Sequence, residues 1–121
     1  MEERTAVFGE TVIDFLKTLP RDDITRPLIS QLVRSATSVG ANYGEADDGV
    51  SRRDFHHRIG TSRKEAKESK FFLRMLARAA PSKRDEARKL WKEAHELHLI
   101  LSRIFWKTRA DNTKKRNRRL K

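Results

Sequence analysis

The chain has 121 residues, of which 37% are charged and 36% hydrophobic, and its formal net charge is +11. Five glycines and three prolines are too few for a many-stranded sheet, and the absence of cysteine excludes a disulfide framework, thiolate metal ligands and a cysteine nucleophile. No run approaches the roughly 18 apolar residues of a membrane span and no signal-peptide pattern is present, so we expect one basic, helical, cytoplasmic domain.

The first two predicted helices carry apolar residues at steps of three and four. The first extends from about residue 3 to residue 19 and ends before Pro20. The second covers residues 25–47, and Gly49 offers a left-handed stop after it. Two amphipathic helices joined by a short turn are therefore expected in the first 50 residues.

The third predicted helix has the most regular pattern in the chain. Ser51 is its N-cap, and Asp54 follows three residues later. Small and apolar residues then form a heptad seam, with steps that alternate between four and three: Phe55, Ile59, Ser62, Ala66, Ser69, Leu73, Leu76 and Ala80. Pro81 ends this helix, and Ser82 caps a fourth helix whose apolar residues keep the same period.

Four helices joined by short turns predict an all-α fold, namely an antiparallel up-down four-helix bundle in residues 1–108. The remaining residues, 109–121, have a different composition. Between residues 107 and 121 there are eight basic residues and one acidic residue, and Leu120 is the only large apolar residue beyond Trp106. We therefore expect residues 109–121 to form a basic tail that is disordered when free.

Two features predict that the bundle forms a homo-oligomer. Gly40 and Gly44 lie inside the second helix, where each glycine costs about 1 kcal/mol relative to alanine. Close approach of another helix, from the same chain or from another subunit, is expected to offset this cost. The third helix carries Phe71, Phe72 and Met75 on the side opposite its seam, and an apolar patch of this kind usually marks an interface.

Two acids of the third helix, Glu65 and Glu68, share the face of this apolar patch. An unpaired buried charge costs several kcal/mol, so we expect the two acids to pair with Arg34 or Asn42, within or between subunits. A partly solvated helix face is the alternative. The residues predicted to be buried polar groups or to form the subunit interface are Arg34, Asn42, Glu45, Glu65, Glu68, Phe71, Phe72 and Met75.

The third helix also carries a basic stripe, which is the strongest functional pattern in the residues themselves. Nine basic and three acidic residues lie between positions 51 and 80, and six of the basic ones fall within roughly 80° at 100° per residue. We expect nucleic-acid phosphates to bind to this stripe and to the tail, without reading of the base sequence. The predicted contact residues are Arg52, Arg63, Lys67, Lys70, Arg74, Arg78, Lys114, Lys115, Arg116, Arg118, Arg119 and Lys121. Charge that only supports solubility and an acidic protein partner are the alternatives.

Patterns for catalysis or for a metal site are weak. His95 and His98 are three residues apart, but no further ligand is spaced to complete a site, and neither follows a glutamate at the spacing that a di-iron bundle requires. The chain also lacks a strained nucleophile turn and a glycine-rich phosphate loop. We therefore expect no enzymatic activity, no cofactor and no metal.

Two stretches of helices 2 and 3 resemble a known family, the bacterial 23S rRNA intervening-sequence proteins. They are Leu28-x-x-Gln31-Leu32-x-Arg34-x-Ala36-x-Ser38-Val39-Gly40-Ala41-Asn42-Tyr43-x-Glu45-Ala46 and Lys64-Glu65-Ala66-x-Glu68-Ser69-x-x-Phe72-Leu73. The resemblance implies an antiparallel four-helix bundle that assembles into a barrel-like homopentamer, with no established enzymatic activity. The accessory proteins of diversity-generating retroelements are similar, and they imply an alternative function: binding of a reverse transcriptase and nucleic acid.

Overall fold

The computed structural model describes the backbone of residues 1–49 and 51–120, and the side chains of these residues except 111–113, 115, 119 and 120. Four long helices and one short 3-10 turn make up the described secondary structure. They are α1 (Glu2–Lys17), α2 (Thr25–Asp47), α3 (Arg52–Ala79), the 3-10 turn Pro81–Lys83 and α4 (Arg84–Leu120). The predicted all-α fold with four helices is therefore confirmed.

The helices form an antiparallel bundle. Each helix packs against its neighbour in sequence, and α4 closes the ring against α1. Contacts between α3 and α4 show the direction, because Arg63 lies beside Ser102 while Lys70, two turns later in α3, lies beside His95, two turns earlier in α4. Among the described residues, none of the helices combines the length with the hydropathy that a bilayer crossing requires.

The predicted heptad seam of α3 lies at the centre of the core. Ile59, Ala66 and Leu73 are fully buried, and so are the two serines of the seam. Ser62 Oγ donates a hydrogen bond to the Val39 carbonyl at 2.7 Å, which satisfies its hydroxyl inside the bundle. Small seam residues of this kind let α2 and α3 approach closely, while the larger residues fill the layers between them.

The turn between α2 and α3 confirms one prediction and corrects another. Ser51 is the N-cap of α3, since its Oγ accepts a hydrogen bond from the Asp54 N–H at 3.0 Å. The prediction of a left-handed stop at Gly49 was wrong, because no described glycine has a positive φ. Gly49 is needed for space instead. A Cβ at this position would lie 2.9 Å from the Ala46 carbonyl oxygen and 3.1 Å from Asp54 Oδ2.

The beginning of α4 also differs from the prediction. A short 3-10 turn at Pro81–Lys83 separates the two helices, and α4 begins at Arg84, so Ser82 lies within this turn rather than at the N-cap position. Proline suits the first position of such a turn because its fixed φ is compatible with helix and it lacks an N–H to satisfy.

The C-terminal segment differs most from the expected organisation. Helix α4 continues without a break to Leu120, whereas the sequence predicts a disordered tail from residue 109. The physical reason is local: the segment has neither glycine nor proline, and its alanine, lysine and arginine residues favour helix. The predicted boundary at 108 therefore lies within α4. The side chains of Lys115 and Arg119 and all of Lys121 lie outside the described part of the chain.

Candidate nucleic-acid interface

The basic stripe predicted on α3 lies where α3 packs against α4. Four of its residues are exposed: Arg52, Lys67, Arg74 and Arg78. Arg63 and Lys70 are half-buried, because their side chains lean across the helix pair and contact residues of α4. The α3 stripe is therefore one side of a surface that two helices share.

Helix α4 contributes a matching stripe that the sequence analysis missed. Its members recur at steps of three and four and fall within roughly 80° on the helix: Arg84, Arg88, Trp91, His95, His98, Ser102, Trp106 and Arg109. The sequence contains the pattern of this stripe, because its members have the same period as the apolar seam of α4. No acidic residue of either helix falls within the α3 stripe or the α4 stripe on a helical wheel. We call the two stripes together the α3–α4 edge.

Near the C-terminal half of α4, the edge contains an exposed tryptophan flanked by arginines. Trp106 is 50% exposed. The Arg109 guanidinium lies 5.2 Å from its ring centroid and the Arg63 guanidinium 5.8 Å, both within cation–π range. Arg63 is fixed further by a 2.9 Å hydrogen bond from its Nε to Ser102 Oγ and by the ring of Phe105 at 5.4 Å. Cations and aromatic rings therefore alternate along this part of the surface.

In the middle of the edge, a lysine lies between two histidines. Lys70 Nζ is 3.2 Å from His95 Nδ1 and 3.3 Å from His98 Nδ1. An ammonium only donates, so both Nδ1 atoms act as acceptors in these contacts. Burial, and then the charge of Lys70, lower the pKa of His98 to about 4. Burial, and then the charge of Lys67, also lower the pKa of Lys70. The two imidazoles therefore face an ammonium group, and they do not face each other across a metal position.

At the end of the edge near Pro81, α3 and α4 enclose a groove of about 600 Å³. Four arginines surround an apolar floor to which Trp91 also contributes. The residues lining this α3–α4 groove are Leu73, Arg74, Ala77, Arg78, Pro81, Arg84, Ala87, Arg88 and Trp91. No acid is among them, so the groove is strongly electropositive.

The predicted pairing of the α3 acids is present within the chain. Arg34 of α2 binds Glu65 at 3.1 Å and also contacts Glu68. The Glu65 side chain is only 16% exposed, which explains why it needs a partner. Asn42 makes a different contact within the chain: its Nδ2 donates to the Ser38 carbonyl one turn earlier in α2. Glu45 is exposed.

The apolar side of α3 also has the predicted location. Phe71 is 55% exposed, and its ring meets that of Phe72 edge-on at 5.4 Å. Phe72 is half-buried and packs against the core, and Met75 is half-buried as well. The bundle interior therefore does not need Phe71, and its role in subunit contact stays a prediction.

Comparisons with known proteins place the chain in a family. The family model for 23S rRNA-intervening sequence proteins matches residues 3–103. A crystal structure of a protein of unknown function from the S23 ribosomal protein family of Bacteroides thetaiotaomicron is similar, with a TM-score of 0.75 and 26% sequence identity. The match covers 86% of this chain and 96% of that one. A comparison with curated protein sequences gives no significant match. On the family match and the shared fold, the chain belongs to the family of 23S rRNA-intervening sequence proteins.

Proposed function

We propose that this protein is a non-enzymatic, oligomeric nucleic-acid-binding protein that holds phosphate groups along the α3–α4 edge and the C-terminal end of α4. RNA is the favoured ligand, and the name of the family supports this choice. The observation that carries the proposal is the segregation of charge around the bundle. The paired acids of α3 turn toward α2, where Arg34 binds them, and the edge shared with α4 keeps only cations.

Two acids of α4 also form ion pairs away from the α3–α4 edge. Arg4 of α1 binds Glu93 at 2.7 Å and Glu96 at 2.5 Å, on the side of α4 that faces away from α3. An ordinary solvated surface mixes the two signs, whereas here the ion pairs that join two long helices, among the described residues, lie at the α2–α3 and α1–α4 contacts. The unmixed α3–α4 edge is left to attract a polyanion.

The C-terminal end of α4 extends this basic surface beyond the bundle. Residues 109–120 add about 18 Å of helix at 1.5 Å per residue. Lys114, Arg116 and Arg118 are exposed there, and the segment continues the line of α4. A strand bound on the edge can therefore continue onto the extension without changing direction.

The test is a binding titration of labelled mixed-sequence RNA and DNA over a series of salt concentrations. One full-length variant removes three exposed cations of the proposed surface: Arg52→Gln, Lys67→Gln and Lys114→Gln. The matched control removes three exposed cations from other faces: Lys17→Gln, Arg26→Gln and Lys89→Gln. Both variants lose the same net charge, so a difference between them reports the position of the cations.

We expect the surface variant to lose at least 10-fold in affinity and its salt slope to become shallower by about 2, because each neutralised phosphate contact contributes 0.7–0.9 to that slope. The control should lose much less. Absence of binding by the unaltered protein to either nucleic acid at physiological salt would overturn the proposal. Equal losses of affinity in the two variants would overturn the assignment of binding to this surface.

A further inference from the structure

The α3–α4 groove concentrates four guanidinium groups at one end of the edge. Two come from the last turns of α3 and two from the first turns of α4: Arg74, Arg78, Arg84 and Arg88. None of the four forms an ion pair or a side-chain hydrogen bond with any residue that the structure describes. Four positive charges around one groove repel one another, so an anion bound among them is favoured. A phosphate group suits the planar donor fork of arginine.

The floor of the same groove is apolar and ends at an indole. The Trp91 ring lines the groove, and His95, one turn further along α4, stacks against this ring at 5.1 Å with 15° between the planes. Lys70 Nζ lies 5.6 Å from the ring centroid. These contacts restrain the indole, and a flat apolar group entering the groove can pack against the part of Trp91 that lines it.

We propose that the α3–α4 groove binds one unpaired nucleoside phosphate, with its phosphate among the four arginines and its base against Trp91. The volume of about 600 Å³ suits a single nucleotide and is far too small for a duplex. Bases in a duplex also hide their faces in the stack, whereas an unpaired base offers a face for stacking on an aromatic side chain. The inference rests on the proposed function and adds a preference for single strands to it.

The experiment uses the intrinsic fluorescence of Trp91. The chain contains two tryptophans, so the full-length Trp106→Phe variant isolates the signal of Trp91. It is titrated with hexauridylate, with free uridine monophosphate and with a blunt RNA duplex, while anisotropy of labelled ligands reports binding independently. We expect hexauridylate to quench Trp91 to saturation, and the duplex to bind without quenching. Quenching by the free monophosphate as well would support the groove as a site for nucleoside phosphates from either source.

One double groove variant and its control complete the test in the same background. Arg78→Gln with Arg88→Gln should lower the affinity for hexauridylate at least 10-fold and that for the duplex less than 3-fold. The Lys17→Gln and Arg26→Gln pair is the control with the same charge and should change neither. Because the four guanidinium groups are outside the core, the double variant tests the groove without removing any packing inside the bundle.

The outcomes separate this inference from the proposed function. Two results would overturn the groove site and leave the proposed function standing. One is binding of hexauridylate without quenching of Trp91. The other is an equal loss of affinity for hexauridylate and for the duplex in the double groove variant. Failure of all strands to bind, by anisotropy as well as by fluorescence, overturns the proposed function. In that case, saturable quenching by the monophosphate alone would still support the groove.

Discussion

Gly40 and Gly44 lie one turn apart on α2 but have different surroundings. A Cβ on Gly40 would lie 3.3 Å from the carbonyl carbon and Oγ1 of Thr5, so this glycine allows α1 to approach. A Cβ on Gly44 would meet nothing within 4 Å. Close helix packing within the bundle therefore accounts for Gly40 only.

This difference predicts opposite responses to alanine. Gly44→Ala should raise the free energy of unfolding by about 1 kcal/mol, because alanine favours the helix by that amount and the site is open. Gly40→Ala should gain less or lose stability, since Thr5 would have to move. Urea unfolding at a fixed protein concentration measures both. A loss of stability in Gly44→Ala, together with a lower molecular mass, would contradict the expectation and assign Gly44 to a subunit contact.

His98 makes the stability of the bundle depend on pH. Burial and the charge of Lys70 lower its pKa to about 4, against about 6.5 in an unfolded chain. The unfolded chain therefore binds a proton first as pH falls. The contribution of neutral His98 is fully present above pH 6.5 and is lost between about pH 6.5 and 4. A shift of this size corresponds to about 3 kcal/mol at most, and solvent around the half-buried ring reduces that amount.

The check is the free energy of unfolding of His98→Gln at pH 7.5 and 4.5. Glutamine keeps an acceptor for Lys70 but does not titrate, so the loss of stability between the two pH values should be smaller in this variant than in the unaltered protein. His57→Gln, which alters an exposed histidine of α3, is the matched control and should leave the loss unchanged. An identical loss in His98→Gln would show that other groups set the pH dependence.

At the scale of the helices, periodicity predicted which residues share a face but not which neighbour that face meets. The heptad seam of α3, its N-cap at Ser51 and the bond from Arg34 to Glu65 followed from spacing and from the cost of burying a charge. The half-burial of Lys70 could not be predicted in this way, because it depends on α4 lying beside the basic stripe of α3. The position of Trp91 in the groove did not follow either, because it depends on the end of α3 lying beside α4.

The extension of α4 beyond residue 108 predicts a local difference in stability. Like charges four residues apart, as in Lys114 and Arg118, destabilise a helix, and both side chains are exposed, so their burial does not offset that cost. Amide hydrogens of residues 110–120 should therefore exchange much faster than those of residues 90–101 in the free protein. Bound RNA should slow their exchange, because phosphates neutralise the repulsion. Equal protection of the two segments without RNA would show that the extension is a stable helix by itself.

At the scale of the whole molecule, the exposed phenylalanine of α3 is the feature that a single bundle explains least. Phe71 is 55% exposed, and it lies one helical turn from Lys67, beside the basic stripe of α3. Association through Phe71 would repeat the basic edges around the assembly. Light scattering should give a mass that is a multiple of 14.1 kDa for the unaltered protein and a lower mass for Phe71→Ser. Ile24→Ser, which changes a residue that is 65% exposed in the turn before α2, is the control.

The same variant predicts how assembly affects binding. A long RNA that crosses several edges gains affinity through effective concentration, whereas a hexanucleotide occupies one edge. Phe71→Ser should therefore weaken binding of a 40-nucleotide RNA at least 10-fold and leave the affinity for a hexanucleotide nearly unchanged. Equal losses for both lengths would place Phe71 in the binding surface itself. Unchanged affinity for both, with a reduced mass, would mean that one bundle holds the whole strand and that the subunits assemble for another purpose.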